Sequence, residues 1–210
     1  MREKGRELVQ LMADGIASGV PAAVATYDPT VGTALAFAGP AVSLLARWGL
    51  NRVGTVASEE SGLTAEEIVS RLQRSEGSLR LLAATLDSAR TAATEEKLLV
   101  LGRCLAQGAM SDGEAGIDEQ LQLVAAITAL ERHHMRLLRV LADPPPEGQE
   151  WGSRNIELVD PVLTPERVAT LTGPMIAQGV IAPAEDTYGV AYRITSMGRL
   201  LIAQAAARVE

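Results

Sequence analysis

From Ala65 to Ala142 apolar residues recur at spacings of three and four, the pattern of helices that each bury one face. "GLTAEEIVSRLQRSEG" (62–77) opens the run with Thr64 as N-cap and Glu67 three residues on, a capping box, with Leu63 and Ile68 placed as a hydrophobic staple. That stretch predicts a helix over 65–73. Leu79, Leu82, Leu86, Ala89 and Ala93 make a second apolar series, and Leu98, Leu101, Leu105 and Ala109 a third, so two more helices follow with a break or kink near 91–94. The clearest stripe is Leu123, Ile127, Leu130, His134, Leu137 and Leu141, spaced 4, 3, 4, 3 and 4. It predicts one long helix over 119–142, central to the bundle and a candidate association seam for a second copy of the chain.

Past Ala142 the pattern changes. "DPPPEGQEWG" (143–152) stops the helix, because proline has no N–H to donate and restricts the residue before it. "NIELVDPVL" (155–163) reads as a short strand or an extended tether, and Thr164-Pro165 as the N-cap and first position of the next helix, with Leu163 and Val168 as its staple. Val168, Leu171, Met175 and Ile176 supply the apolar side of that helix, and Gly173-Pro174 a kink. "QGVIAPAEDTYGVAYRIT" (178–195) then reads as a helix stop, a strand, a polar tip and a returning strand, with Thr195 capping a final helix through about Arg208. The fold class expected is mainly α: a helical bundle followed by a winged-helix-like α/β module with a short β-hairpin. Its organisation would be a small-residue-rich N-terminal segment (1–60), a bundle (61–142), a Pro-rich linker (143–163) and the module (164–210), which shares helix 119–142.

Composition sharpens this. The 210 residues are 47% hydrophobic but only 3% aromatic, so the core must be built from Ala, Leu and Val in closely packed helices. Residues 1–14 interleave Arg2, Lys4 and Arg6 with Glu3, Glu7 and Asp14, which suits a solvated helix and not a signal peptide. Between Asp28 and Arg47 stand eighteen uncharged residues rich in Ala and Gly. A membrane span takes about 20 mainly apolar residues, and Ala and Gly contribute little transfer energy. Small-residue helices packed on the rest are the expectation for 15–50, with membrane contact through that segment as the alternative.

Charge bears on partners. The net charge is −7, and seventeen of the nineteen basic residues are Arg. Such a chain does not attract polyanions as a whole, so nucleic-acid contact would need a local patch. Arg132, Arg136 and Arg139, spaced 4 and 3 opposite the apolar stripe, are the best one, and Arg167 and Arg193 complete the candidate contacts for nucleic acid or a protein partner. Residues 144–210 carry five Arg and no Lys against eight acids, and the wing tip Glu185-Asp186-Thr187 is acidic. Protein association is therefore favoured over DNA reading.

Several chemistries are absent. There is no Walker loop, GxGxxG, GxSxG, HExxH or CxxC, and no cofactor motif. Cys104, the single cysteine, falls among Leu98, Leu101 and Leu105 and reads as an inert buried thiol in a reducing, cytoplasmic protein. His133 and His134 point about 100° apart on a helix and do not share a metal. His134 belongs on the apolar stripe as a hydrogen-bonded core or interface residue, and His133 in solvent. "MSDGEAGIDEQ" (110–120) lacks the ligand spacing of an EF-hand and reads as a loop whose Asp118 caps the next helix. No catalytic or metal-ligating residue is assigned.

"EEKLLVLGRCLAQGAMSDGE", "AITALERHHMRLLRVLAD", "MIAQGVIAP" and "YRITSMGRLLIA", in that order, resemble the abortive-infection alpha (Abi-alpha) type of bacterial protein over residues 80–208. Those proteins pair a helical hairpin with a terminal winged-helix-like piece, and "QGVI" stands here where they carry "LGLI". The resemblance implies a role in phage defence or growth arrest and transfers no catalytic residue. Three functions are thus in play: a non-enzymatic interaction or regulatory protein acting on a protein partner or as a homodimer, a winged-helix transcriptional regulator, and a membrane-acting effector.

Overall fold

Thr64, Ser75 and Thr94 each turn an extended backbone into a helix by accepting a hydrogen bond from the N–H three residues on. At Thr64 the box is complete: Glu67 Oε2 takes the Thr64 N–H at 2.8 Å and the Thr64 hydroxyl at 2.9 Å. A computed structural model describes residues 40–143, 154–155, 165–186 and 189–206. Among them are eight helices and a small antiparallel sheet. In chain order these are α1 (Pro40–Ser61), α2 (Ala65–Leu72), α3 (Glu76–Thr91), α4 (Glu95–Met110), α5 (Glu114–Ala129), α6 (Arg132–Ala142), β1 (Arg154–Asn155), α7 (Pro165–Ala177), β2 (Ile181–Asp186), β3 (Gly189–Ile194) and α8 (Ser196–Ala205). The chain divides into two compact units at Val124–Ala125, within α5.

The N-terminal unit is assembled around α4. Leu98, Val100, Leu101, Gly102, Arg103, Cys104, Leu105, Ala106, Gly108 and Ala109 are buried, so the middle of α4, residues 100–106, is covered on every side, with α1, α2 and α3 packed against the helix, while Gln107 and Met110 nearer its end are exposed. Full burial of Leu98, Leu101 and Leu105 contributes about 1.5–3 kcal/mol each. α1 packs on α4 so closely that a Cβ on Gly102 would lie 2.5 Å from Val56 Cβ. All-round burial also takes in a charge. Arg103 is answered across the helix pair by Glu60, with Nε 2.9 Å from Oε1, and an exposed Arg52–Glu95 pair ties the same two helices at another level.

In the C-terminal unit α6 packs on α7, β3 and α8. Its sheet has the order β1-β3-β2, with Ile181 opposite Ile194 and Arg154 opposite Tyr192. Met135, Leu138, Val168, Met175, Val180, Ile181, Tyr192, Ile194 and Leu201 form the core. Gly179 ends the α7 turn at φ +66, which glycine adopts without strain. Thr195 then fastens the hairpin to that stop: its N–H donates to Val180 O at 3.1 Å, and its hydroxyl donates to Gly179 O at 2.6 Å while capping Gly198 N at 3.1 Å.

Several expectations change. The predicted helix 119–142 is two helices, because Glu131 leaves the helical region at ψ 170 and starts α6 as its N-cap. The stripe it carried is buried within the single chain at every position, Leu123 and Ile127 at 0% and Leu141 at 8% exposed, so it is core and not a seam left open to a second copy. The central helix of the N-terminal unit is α4. Residues 114–120 are helical rather than loop, so Asp118 lies one turn inside α5 and does not cap it. Residues 40–61 form a core helix of the bundle, across the boundary expected at 60. The final helix ends at Ala205, where Ala206 turns extended at ψ 126, short of Arg208. The readings of residues 1–39, the Pro-rich stretch 144–152, residues 156–163, the Thr164 cap, Thr187 and Arg208 itself lie outside the described residues. No helix among the described residues is long and apolar enough to cross a membrane.

Gly102→Ala should lower the unfolding free energy of the N-terminal unit by about 1–3 kcal/mol through overpacking against Val56. Gly113→Ala, where a Cβ meets nothing within 4 Å, should stay within about 0.5 kcal/mol. Urea denaturation followed by circular dichroism reads both.

Candidate functional site

The α5–α6 break shapes the basic face. Glu131 and His134 cap each other: the His134 N–H is taken by the Glu131 side chain, and the Glu131 N–H donates to His134 Nδ1 at 2.9 Å. His134 is 5% exposed, and with Met135, Leu137, Leu138 and Leu141 it turns one side of α6 into the core. Arg132, Arg136 and Arg139 fall on the other side and are exposed. His133 is exposed too, its ring centroid 4.0 Å from that of His134. With Nδ1 of His134 occupied as a cap, the two rings do not form a metal pair. No group of three His, Cys, Asp or Glu able to hold a metal occurs among the described residues.

The five candidate arginines do not form one patch by element. Arg132, Arg136 and Arg139 share one helix face, whereas Arg167 stands exposed on α7 and Arg193 exposed on β3. Side chains alternate along a strand, so Arg193 lies on the sheet face opposite Tyr192 and Ile194. Tyr192 faces α7, its hydroxyl 3.4 Å from Thr172 Oγ1. The α6 arginines, in turn, point away from the face by which that helix meets the rest of its unit.

The surface of α7 was not legible in the sequence. Val168, Thr172 and Met175 are buried, leaving Arg167, Ala169, Thr170, Gly173, Pro174, Ile176 and Ala177 exposed. Among the described side chains of α7 Arg167 is the charged one, and Ile176 is 38% exposed. Pro174 sits inside the helix on this outer side.

In the N-terminal unit the α2–α3 and α4–α5 turns border a cleft of about 460 Å³. Gly108, Ala109 and Ile117 line it, together with Arg71 and Arg74 and with Asp112, Glu114 and Asp118. It is polar and mixed in charge, and in sequence its residues belong to two separate turns. No protein-family model, curated protein or solved structure matches this chain. The fold and its surfaces therefore carry the functional argument.

Cys104 is 0% exposed, and burial pushes its thiol up to about 12, so it is neither a nucleophile nor a metal ligand near neutrality. Because this pKa is raised on folding, the thiol favours the folded chain up to about pH 9, and that contribution is lost as pH rises toward about 12. At pH 8 the native protein should not react with Ellman's reagent, and reactivity should appear with urea along the unfolding transition. Fast labelling in the absence of denaturant would contradict this burial.

Proposed function

We propose that this chain is a non-enzymatic interaction or regulatory protein whose C-terminal unit is a winged-helix-like module used for association with another protein. The winged-helix reading is supported by the order α6, β1, α7, β2, β3, α8 and by the strand order β1-β3-β2. In a DNA-reading winged helix, the helix before the hairpin enters the major groove and needs donors for phosphates and base edges. Here that helix is α7, and the observation that carries the proposal is its outer face. Ala169, Gly173, Pro174, Ile176 and Ala177 are exposed there, and Arg167 is the charged residue among the described side chains of that helix. Small apolar residues rimmed by polar ones suit a protein surface and offer little to a polyanion. The net charge of −7 acts in the same sense. By the resemblance of residues 80–208, the setting proposed is phage defence or growth arrest in a bacterial cytoplasm.

The test is a paired substitution on α7. Ala169→Glu with Ile176→Glu should weaken capture of the protein's cellular partner at least about tenfold, as expected for the centre of a contact, while leaving the urea midpoint unchanged. Neither form should be retained on random-sequence duplex DNA. Retention that falls steeply with salt and vanishes when Arg132, Arg136 and Arg139 are replaced by Ala would establish the transcriptional-regulator reading instead.

A further inference from the structure

The apolar period from Leu123 to Leu141 passes through residue 131 without a gap, yet the chain leaves the helix there. A histidine ring sits at the break. The Glu131 N–H, turned out of α5 by extended backbone, donates to His134 Nδ1 at 2.9 Å. A ring nitrogen accepts a hydrogen bond when it carries no proton, so this contact requires the neutral ring, with its proton on Nε2. The ring is buried, and so are Leu130 and Met135, which occupy the staple positions on either side of the box. Met135 N–H then begins the α6 ladder on Glu131 O at 3.1 Å.

We infer that the Glu131–His134 cap is a pH-sensitive latch, and that protonation of His134 opens the first turn of α6. Protonation turns Nδ1 from acceptor into donor and sets two N–H groups against each other, so the Glu131 N–H loses its partner. It also places a charge on a buried ring. The surroundings act in the same direction. On its own helix stand Arg132, Arg136 and Arg139, and the His133 ring centroid lies 4.0 Å away. α6 packs on α7, β3 and α8, whose charged residues among the described side chains are Arg167, Arg193 and Arg199, all exposed. The acids of α5, Glu114, Asp118 and Glu119, stand in its first turns, far from the break, and Asp143 lies past the other end of α6. The carboxylate at the box is that of Glu131, which already takes the His134 backbone N–H. The folded cap uses the neutral ring, so its contribution is complete above the ordinary histidine range, about pH 6.5, and is withdrawn as pH falls and the ring gains its proton. Opening frees the turn that carries Arg132 and Arg136 and loosens Met135 from the core of its unit. The latch goes beyond the association reading of α7 and does not depend on it.

Amide hydrogen exchange and NMR of the imidazole nitrogens, on the full chain, test this together. Corrected for intrinsic rates, protection of the Glu131 amide should fall at least about tenfold between about pH 7.5 and about pH 5. The fall should track the His134 nitrogen shifts as Nδ1 is protonated. His134→Gln supplies an acceptor of the kind usual at this box position and does not titrate, so it should keep the cap and lose the pH dependence. His133→Gln, at an exposed position, should leave that dependence in place. A Glu131 amide that stays protected while the His134 ring takes up its proton overturns the inference. So does a ring still neutral at about pH 5, a loss of protection that persists in His134→Gln, or one abolished by His133→Gln. Should His134→Gln fail to fold, ring protonation against Glu131 protection in the wild type decides by itself.

Discussion

The all-round burial of the middle of α4, residues 100–106, is the constraint on which the N-terminal unit depends. A helix covered all round needs neighbours that come close, and close approach needs small residues where backbones meet. Gly102 against Val56 and Gly108 against Leu81 meet that need, with Ala106 and Ala109 buried along the same helix. A chain that is 3% aromatic has few bulky rings with which to fill wider gaps, so its stability rests on short interhelical distances. The same arrangement fixes Cys104 as a packing residue and forces Arg103 to find Glu60, because a guanidinium left alone in that interior would be costly.

The C-terminal unit is organised by seams. Thr195 joins the hairpin to the helix stop at Gln178-Gly179-Val180, and Gly198 admits Val180 O where a Cβ would sit 2.1 Å from it. The Glu131–His134 box performs the corresponding task at the start of α6. By ending α5 and re-aiming the chain, it turns what is a continuous stripe in sequence into two buried faces on two helices. One consequence is the clean division of α6 into a core side and an arginine side. His134 serves both features, since its ring is a core residue and its Nδ1 is the cap.

These local devices bear directly on which functions the surface admits. A basic row, an α7 face of small and apolar residues and a mixed-charge cleft are three separate chemistries on a chain of net charge −7. The Cys104 thiol, by contrast, is buried away from solvent.

What the sequence by itself determined is what nearest neighbours decide. The Thr64 box, the break between Thr91 and Thr94, the hairpin and the Thr195 cap were legible because each is settled by a hydrogen bond or a period within a few residues. So were the burial of Cys104 and the exposure of the α6 arginines, which follow from helical phase. The break at Glu131 was not legible, since a Glu–His box is a rare spelling of a cap and the apolar period runs through it without a gap. Nor was the start of α5 at Glu114, because the acidic stretch "DGEAGIDEQ" has loop composition yet favours a helix N-terminus, where its carboxylates meet the positive end of the dipole. Only the tertiary structure decided which helix is central and which surfaces are left open. A periodic stripe says that a face is buried, but whether it is buried within the chain or against a partner depends on residues far away in sequence, and local pattern carries no trace of them.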